Sequence, residues 1–468
     1  MSDVATPAGP RPSLLRHTDF LKIWTAATIS LFGSQVSAIA IPTIAIITLH
    51  VSPFEAALLG FFEMLPFILF TLPAGVWVDR LRRRPILIAG DLGRAVALAT
   101  IPIAFAAGSL TVLQLYVVAF ATGILTVFFD VADQSYLPSL VSAGQLIEAN
   151  AKLQVSQSAA QVGGQGVGGA IIGLVSAPFA VIVDSVSFLA SAALIFLVRR
   201  PEPGPERPVV AEGARGPGMR SEIGDGLRYV GGHPLLRSIA ACTGTSNFFS
   251  SLMFSILFVY LYRVVELSPL TVGLVFGLGN IGFLVGAGMS SRIPGRIGLG
   301  RTILLAAVVG GVAPSLIAVA PENSAAIPFL FVAGVLAGWA QVVYNVNQVS
   351  LRQAITPARM QGRMNATMRF IVWGTMPPGL IIGGVLGSNL GLHETIWIGA
   401  IGGLFAFLPI LFSQVVGLRE IPPIEAETTA AADTAANAGM ADAPEPRTPA
   451  EIEGERGSWP GPGPAPDS

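Results

Sequence analysis

Charged residues are scarce in this chain: only 12% of its 468 residues are Asp, Glu, Lys or Arg, whereas soluble domains average about 25%. Hydrophobic residues make up 52%, and the mean hydropathy is +0.67. A soluble fold could not bury this much apolar surface, but a lipid bilayer can accommodate it. The composition therefore excludes an ordinary soluble domain and predicts an integral membrane protein.

Cysteine and histidine are also rare. Cys242 is the single cysteine, so the chain can form no internal disulfide and no cysteine-based metal site. Its four histidines lie far apart in the sequence, and we expect neither a metal nor a cofactor. No Walker-type phosphate loop occurs, so ATP is not expected to drive the protein directly. No nucleophile, histidine and acid stand at recognisable spacing, so we expect no enzyme, and no nucleic-acid partner either.

Twelve apolar runs are long enough to cross a bilayer, which takes about 20 residues. They lie at approximately 20–49, 54–78, 86–107, 111–135, 152–175, 178–198, 237–262, 270–291, 301–320, 325–350, 366–388 and 394–416, and we number them spans 1 to 12. We therefore predict an all-α membrane protein of two six-helix, pseudo-symmetric bundles.

Composition divides the chain between and around these bundles. The bundles occupy 20–198 and 237–416, after an N-terminal segment at 1–19. The connector at 199–236 is rich in Pro and Gly, and its end is predicted to form a short amphipathic helix on the membrane surface. The tail at 417–468 has few large apolar residues and is predicted to be disordered.

The basic residues predict the orientation. Of 27 Lys and Arg residues, only Arg263 falls in a loop on the opposite side from both termini. Because cytoplasmic loops are rich in Lys and Arg, we expect both termini in the cytoplasm and the protein in the inner (plasma) membrane. A miscount by one span would scatter these charges, so the asymmetry also supports the number twelve.

The densest charge cluster is GVWVDRLRRRP, from Gly75 to Pro85, between spans 2 and 3. It resembles the loop at the same place in major facilitator superfamily transporters: a Gly, three residues, Asp-Arg, two residues and then two basic residues. The second half has a degenerate copy from Gly288 to Arg301, in which Gly295 stands where the acid would be expected.

Three further segments and the GDLGRA that follows the loop extend the resemblance to residues 15–416. They are DVADQSYLPSLV from Asp130, DSVSFLASA from Asp184 and LRQAITPARMQGRMNATMRF from Leu351. Together they are similar to the branch that contains enterobactin exporters and macrolide-efflux pumps. Two features depart from the antiporters of the superfamily: Gln165 replaces the usual Pro of span 5, and span 4 has no buried Arg.

The resemblance implies the major facilitator fold and a secondary transporter that works by alternating access. The implied cargo is a hydrophobic or amphipathic small molecule, such as a drug, a macrolide-like antibiotic or a siderophore, exported in exchange for protons by a monomer in the bilayer. Two alternatives stay open: a proton-coupled importer of a nutrient or metabolite, and a membrane sensor or partner protein that transports nothing.

The resemblance also implies a cytoplasmic gate. The Asp79 carboxylate is expected to dock near Gly362 to Ala366, at the start of span 11, because a helix N-terminus favours a negative charge. Gly75 would allow helices to approach closely. The full set expected at the gate is Gly75, Asp79, Arg80, Arg83, Arg84, Asp91, Arg94 and Arg369. The alternative is a solvated loop that only fixes topology.

Four acids in the spans are candidates for proton coupling: Glu63, Asp130, Asp133 and Asp184. Glu63 lies about 14 Å into span 2 at 1.5 Å per residue, where an acid is costly unless it is protonated, paired or facing water. Its alternatives are substrate contact and a structural role. Asp130 and Asp133 could instead bind the arginines of neighbouring loops, and Asp184 could make a polar contact between helices.

Polar side chains on otherwise apolar spans predict the substrate cavity. The candidates are Ser34, Gln35, Asn247, Asn280, Gln341, Tyr344, Asn345 and Gln348, of which the last four share one face of span 10. Nearby Phe and Met residues suit a large amphipathic ligand. Some of these polar groups are expected to bond between helices instead.

The gate hypothesis predicts that Asp79→Asn impairs transport without reducing the amount of protein in the membrane. The reason is that the neutral amide loses the charge that the helix N-terminus favours. Efflux of substrate and membrane abundance would be measured in the same cells, and full activity of the variant would contradict the gate.

Overall fold

The computed structural model describes residues 14, 17–78, 80–142, 145–200, 202 and 219–420, and within these ranges it contains helices and no strand. The first half has span 1 as Thr18–Thr43 with a π-helical turn Ile44–Thr48, and spans 2, 3 and 4 as Pro53–Val78, Arg83–Ala106 and Val112–Leu140. Span 5 runs through Leu146–Ala159, a π turn Ala160–Gly164 and Gln165–Val175, and span 6 is Ala177–Phe196.

The second half begins with a connector helix, Met219–Gly232, where the sequence predicts one. Span 7 is Pro234–Arg263, span 8 is Pro269–Gly279 with Ile281–Met289, and a short helix Pro294–Ile297 follows. Span 9 is Leu299–Ala318, and span 10 is Ile327–Ile355 after a 3-10 turn Ser324–Ala326. Span 11 is Ala358–Gly374 with Met376–Asn389, and span 12 is Leu392–Leu404, followed by Leu408–Leu411 and the 3-10 turn Gln414–Gly417.

The predicted all-helical membrane fold is confirmed, with differences at three spans. Within the described ranges, eleven helices are long and apolar enough to cross a membrane. Span 5 is not among them, although it is helical over its whole predicted length, and we attribute this to its many Gln, Ser and Gly residues. Span 11 begins eight residues before its predicted start, and span 12 leaves regular helix at Leu404 rather than near residue 416.

Helix pairing follows the same scheme in both halves. In the first half, span 1 packs on spans 5 and 6, span 3 packs on spans 4 and 6, and span 2 packs on span 4. In the second half, span 7 packs on spans 11 and 12, span 9 on spans 10 and 12, and span 8 on span 10. Each first-half pair therefore has its counterpart six spans later, as two copies of one bundle require.

The two halves contact each other mainly through two helix pairs, spans 5 and 8 and spans 2 and 11. Smaller contacts join span 2 to span 7 and span 1 to spans 7 and 8. The spans 5 and 8 contact is made by backbone. A Cβ atom on Gly277 would lie 2.8 Å from the Val162 carbonyl oxygen, and one on Gly169 would lie 2.7 Å from the Pro269 carbonyl oxygen. The glycines of span 5 thus provide the close approach expected from the sequence, and a π turn stands in that span where related antiporters have a proline kink.

Buried apolar side chains form three clusters, which differ in whether they join the halves. One cluster combines residues from both halves, among them Ile39, Ile44 and Val51 with Tyr260 and Val272, and lies at the end of the bundle that the basic residues assign to the outside. The second cluster contains first-half residues only, and the third contains second-half residues only. Apolar packing therefore joins the two halves at this end, whereas each half packs by itself at the end where the described chain begins and ends.

The glycine contact predicts that Gly169→Ala lowers the melting temperature of the purified protein. The added methyl group would meet backbone atoms of span 8, and such overpacking costs about 1–3 kcal/mol. Gly173→Ala in the same helix is the matched control, since no atom lies within 4 Å of a Cβ there. Equal melting temperatures for the two variants would argue against the contact.

Candidate substrate cavity

A cavity of about 1140 Å³ opens between the halves and is lined mainly by spans 7 to 11, with Gly60, Glu63 and Met64 of span 2. Its surface mixes amides and hydroxyls with aromatic and Met side chains, including Phe254, Phe276, Phe283, Met368 and Trp373. Ligand cavities commonly have this composition, in which a few polar groups orient a largely apolar molecule.

Six of the eight residues proposed for substrate contact do line this cavity: Asn247, Asn280, Gln341, Tyr344, Asn345 and Gln348. Gln341 and Asn345 are exposed in it. Gln348 Nε2 donates to Asn345 Oδ1 of the same helix at 3.0 Å. The other three bond to neighbouring helices: Asn247 Nδ2 donates to the Val372 carbonyl at 2.9 Å, and Asn280 Nδ2 donates to the Gln161 carbonyl at 2.6 Å. The Tyr344 and Thr243 hydroxyls are 2.8 Å apart.

Gln35 does not line the cavity. Its side chain packs against Gly164 of span 5, where a Cβ would lie 2.7 Å from Gln35 Cβ. Ser34, the residue before it, donates to Asp184 Oδ1 at 3.4 Å. The polar pair of span 1 therefore faces the packed interior of the first half, because this face of the helix contacts spans 5 and 6.

Glu63 is the one acid among the residues that line the cavity. Its side chain is exposed there, on the face of span 2 that looks towards the second half. Within the described part of the chain, no basic group forms an ion pair with it and no donor lies within hydrogen-bond distance. A single unpaired carboxylate in a water-accessible cavity can bind a proton or a cationic group.

Asp91 and Arg94 lie inside the first half and not at the cytoplasmic loop where the gate hypothesis puts them. Arg94 Nη2 is 2.5 Å from Asp91 Oδ1, and the two residues are 6% and 0% exposed. The Arg94 guanidinium sits between the rings of Phe129 and Phe188, 4.3 and 4.1 Å from their centroids. Through these contacts the pair joins spans 3, 4 and 6. Its apolar surroundings favour direct pairing of the two charges.

The remaining acids surround this arginine, which acts on all three electrostatically. Asp184 is buried and accepts hydrogen bonds from Ser34 at 3.4 Å and Ser187 at 3.1 Å, so it joins spans 1 and 6. Asp130 is exposed and Asp133 is half-buried, and among the described residues neither forms an ion pair with a loop arginine. Span 4 has no arginine of its own, but Arg94 of span 3 packs against its Phe129 ring.

The arginines of the loop between spans 2 and 3 hold the first half together where they are described. Arg84 donates to the carbonyls of Ile195 and Phe196 at the end of span 6, at 3.2 and 2.5 Å. The Glu202 carboxylate accepts from the backbone N–H groups of Arg83 and Arg84, at 2.6 and 3.1 Å, and so caps span 3. Arg80 is exposed in the turn before the helix.

The other members of the proposed gate are placed differently. Asp79 lies outside the described residues. Among the described residues outside its own helix backbone, none has an atom within 4 Å of a Cβ built on Gly75, so this glycine shows no close helix contact there, contrary to expectation. Arg369 is exposed in the cavity lining, one helical turn before Trp373.

Several cavity residues were missed by the sequence analysis, chiefly Ser246, Ser250, Arg352, Asn365 and Arg369. Ser246 and Ser250 stand one helical turn apart on the apolar span 7, and that spacing could have indicated a cavity face. Arg352 was counted only as a topology marker. No group of three His, Cys, Asp or Glu side chains suited to a metal ion occurs among the described residues.

Two equivalent bundles of six membrane helices around a cavity define a transporter of the major facilitator superfamily. The chain belongs, within that superfamily, to the transmembrane secretion effector family, whose profile matches residues 11–452.

Curated relatives and solved structures agree with this assignment. The multidrug efflux pump Tap of Mycolicibacterium fortuitum is 27% identical over 414 residues, which are 85% of this chain and 94% of that protein. Tap of Mycobacterium tuberculosis strain H37Rv is 26% identical and covers 83% of this chain and 90% of its own length. A bacterial homologue of the iron transporter ferroportin, solved in its inward-facing state, shares the fold with a TM-score of 0.65 at 18% identity, over 85% of this chain and 98% of that one.

The buried pair predicts that Asp91→Asn destabilises the protein strongly, because it leaves the Arg94 charge uncompensated; breaking a buried pair costs about 3–5 kcal/mol. Thermal unfolding of the purified protein would measure this. Arg94→Gln combined with Asp91→Asn should restore part of the loss, whereas Glu148→Gln, which removes an exposed partner of Lys152, should have little effect. A double variant as unstable as the sum of the single variants would contradict the pairing.

Proposed function

We propose that this protein exports hydrophobic or amphipathic small molecules from the cell by alternating access, with protons entering in exchange. The relatives that match most of the chain are named multidrug efflux pumps, and the family is one of secretion effectors, which supports export as the direction. The cavity supports the class of cargo, because its aromatic and Met side chains can adapt to apolar molecules of different shape.

The contacts between the halves support a state that is closed outside and open inside. The Thr43 and Tyr262 hydroxyls are 2.7 Å apart, and Ser388 Oγ accepts from the Phe54 backbone N–H at 3.0 Å. Arg263 Nη2 donates to the Val51 carbonyl at 2.7 Å. These bonds join spans 1 and 2 to spans 7 and 11 at the outer end, so cargo would reach the cavity from the side of the chain termini.

Arg263 was the exception to the charge asymmetry, and this position gives it a structural purpose. Its guanidinium also reaches the Ile46 carbonyl at 3.4 Å, within the π-helical turn that ends span 1. The backbone of this turn departs from the regular α-helical hydrogen-bond pattern, so its carbonyl groups can accept hydrogen bonds from another helix. With both termini in the cytoplasm of a plasma-membrane protein, as we propose, Arg263 belongs to the outer closure.

Glu63 carries the proposal for proton coupling, since it is the acid that lines the cavity and has no partner among the described residues. A carboxylate that takes up a proton in one conformation and releases it in the other couples proton entry to cargo export. At about 150 mV, one entering proton supplies about 3.5 kcal/mol. That supports roughly a 300-fold gradient of a neutral cargo, because 1.4 kcal/mol is a factor of ten.

The gate at Asp79 and the relay through Asp130, Asp133 and Asp184 remain proposals beside this one. Asp184 and the Asp91–Arg94 pair support packing of the first half most directly, because their partners are other residues of that half. Asp130, which is exposed near the inner end of span 4, is the acid of this group best placed to exchange protons with water.

Glu63→Gln is expected to abolish proton-driven transport while cargo still binds. The purified full-length protein would be reconstituted in liposomes, and accumulation of a fluorescent amphipathic dye would be followed after imposing a proton gradient. The amide has nearly the shape of the acid but cannot exchange a proton, so accumulation should fall to the level of protein-free liposomes. Glu148→Gln, an exposed acid outside the cavity, is the matched control and should transport normally.

The same experiment separates the alternatives. The wild-type protein would be an importer if the proton gradient moved dye only towards the side of the membrane that corresponds to the cytoplasm. Dye binding with no accumulation under any gradient would favour a sensor or partner protein. Full activity of Glu63→Gln would remove Glu63 from the coupling mechanism.

A further inference from the structure

Two arginines line the inner part of the cavity without a partner. Arg352 near the end of span 10 and Arg369 on span 11 are both in its wall. Within the described residues neither side chain forms an ion pair or a hydrogen bond, and the Arg352 Nε–H group is buried without an acceptor. The cavity therefore contains two fixed positive charges and several N–H donors that no residue of the described wall satisfies.

Such charges need compensation. Arginine stays protonated in proteins, and a charge within the membrane region is costly unless water or an anion reaches it. The wall offers Glu63 as its one acid, so the lining residues carry one negative and two positive charges. An anionic group on a bound molecule would satisfy the arginines, and the guanidinium fork suits carboxylate and phosphate oxygens particularly well.

Glu63 and Arg369 lie on opposite sides of an aromatic contact between the two halves. Phe67 of span 2 and Trp373 of span 11 have ring centroids 5.5 Å apart. Glu63 lies one turn before Phe67 and Arg369 one turn before Trp373, and the two helices run in opposite directions. At 1.5 Å per residue, each charge is roughly 6 Å from the contact, and the two are roughly 12 Å apart along the helix axes.

We propose that Arg352 and Arg369 form an anion subsite, so that the cargo carries a carboxylate or phosphate group at one end of an apolar body. The apolar body would lie along Met368, Trp373 and Met376, which line the same stretch of wall. The inference rests on the proposed export function and narrows its cargo from amphipathic molecules in general to those with an acidic group. It also gives Arg369 a different role from the gate.

The test compares two dyes that differ only in one carboxyl group: rhodamine B, which has it free, and rhodamine B methyl ester. The purified full-length protein would be placed in phosphatidylcholine nanodiscs without any ion gradient, and dye binding measured by fluorescence anisotropy. We expect the acid to bind the wild-type protein about tenfold more tightly than the ester, because a hydrogen bond to a charged group is worth about that factor.

Arg352→Gln and Arg369→Gln should each weaken binding of the acid towards that of the ester, and should not weaken binding of the ester, which carries a positive charge. Retained binding of the ester shows that the variants are folded. Arg369→Lys should keep part of the preference, because it keeps the charge. Arg301→Gln, an exposed arginine of the same half outside the cavity wall, is the matched control for net charge and should keep all of it.

Three results would overturn the subsite: no preference for the acid in the wild-type protein, equal loss of both dyes in the arginine variants, or loss of the preference in phosphatidylglycerol nanodiscs. The last would assign the arginines to lipid headgroups. Because binding is measured without a gradient, the result is independent of transport. A retained preference without proton-driven flux would contradict the export mechanism and leave the anion subsite standing.

Discussion

Membrane helices associate only where their surfaces fit closely, because lipid tails are as apolar as leucine and provide no hydrophobic drive. The contact of spans 5 and 8 shows this constraint at its strictest. Gly169 meets Gly273, and Gly166 meets Gly277, backbone to backbone; a Cβ on Gly169, Gly273 or Gly277 would come within 2.8 Å of a backbone atom of the facing helix. The relation of the two halves depends on this contact and on its counterpart between spans 2 and 11, where Gly384 faces Phe54 and Ala57. The cavity lies beside these contacts, mainly within the second half and against Gly60, Glu63 and Met64 of span 2.

Charge is distributed differently in the two halves. In the first half, Asp91 pairs with Arg94, which also acts electrostatically on Asp130, Asp133 and Asp184, and Glu63 alone of the acids lines the cavity. In the second half, Arg352 of span 10 and Arg369 of span 11 line the cavity, and among the described residues neither forms an ion pair. A bundle held by its own buried pair keeps its shape as it moves. A bundle with unpaired groups on its inner face is free to use them on a ligand.

The sequence was sufficient for the fold, because span length, charge asymmetry and glycine content follow from bilayer thickness and backbone chemistry. It was also sufficient for most of the polar cavity wall, since amides at positions 341, 345 and 348 fall on one helical face. It failed where partners come from distant helices. Gln35 and Gln341 are the same residue type on apolar helices, yet one packs against Gly164 and the other faces the cavity. Likewise, Asp91 and Arg94 belong by spacing to the charged loop, but Phe129 and Phe188 hold them inside the bundle.

The outer closure has a property that follows from the chemistry of its acceptors. Arg263 binds the carbonyls of Ile46 and Val51, and the bonds around it involve hydroxyl groups and a backbone N–H. None of these acceptors gains or loses a proton in the range that a cell surface experiences. Acidification outside would therefore leave these hydrogen bonds intact. Because the acceptors are backbone carbonyls, they do not depend on which side chains stand at positions 46 and 51. For the proton-driven export that we propose, this means that the driving ion does not break these hydrogen bonds from outside.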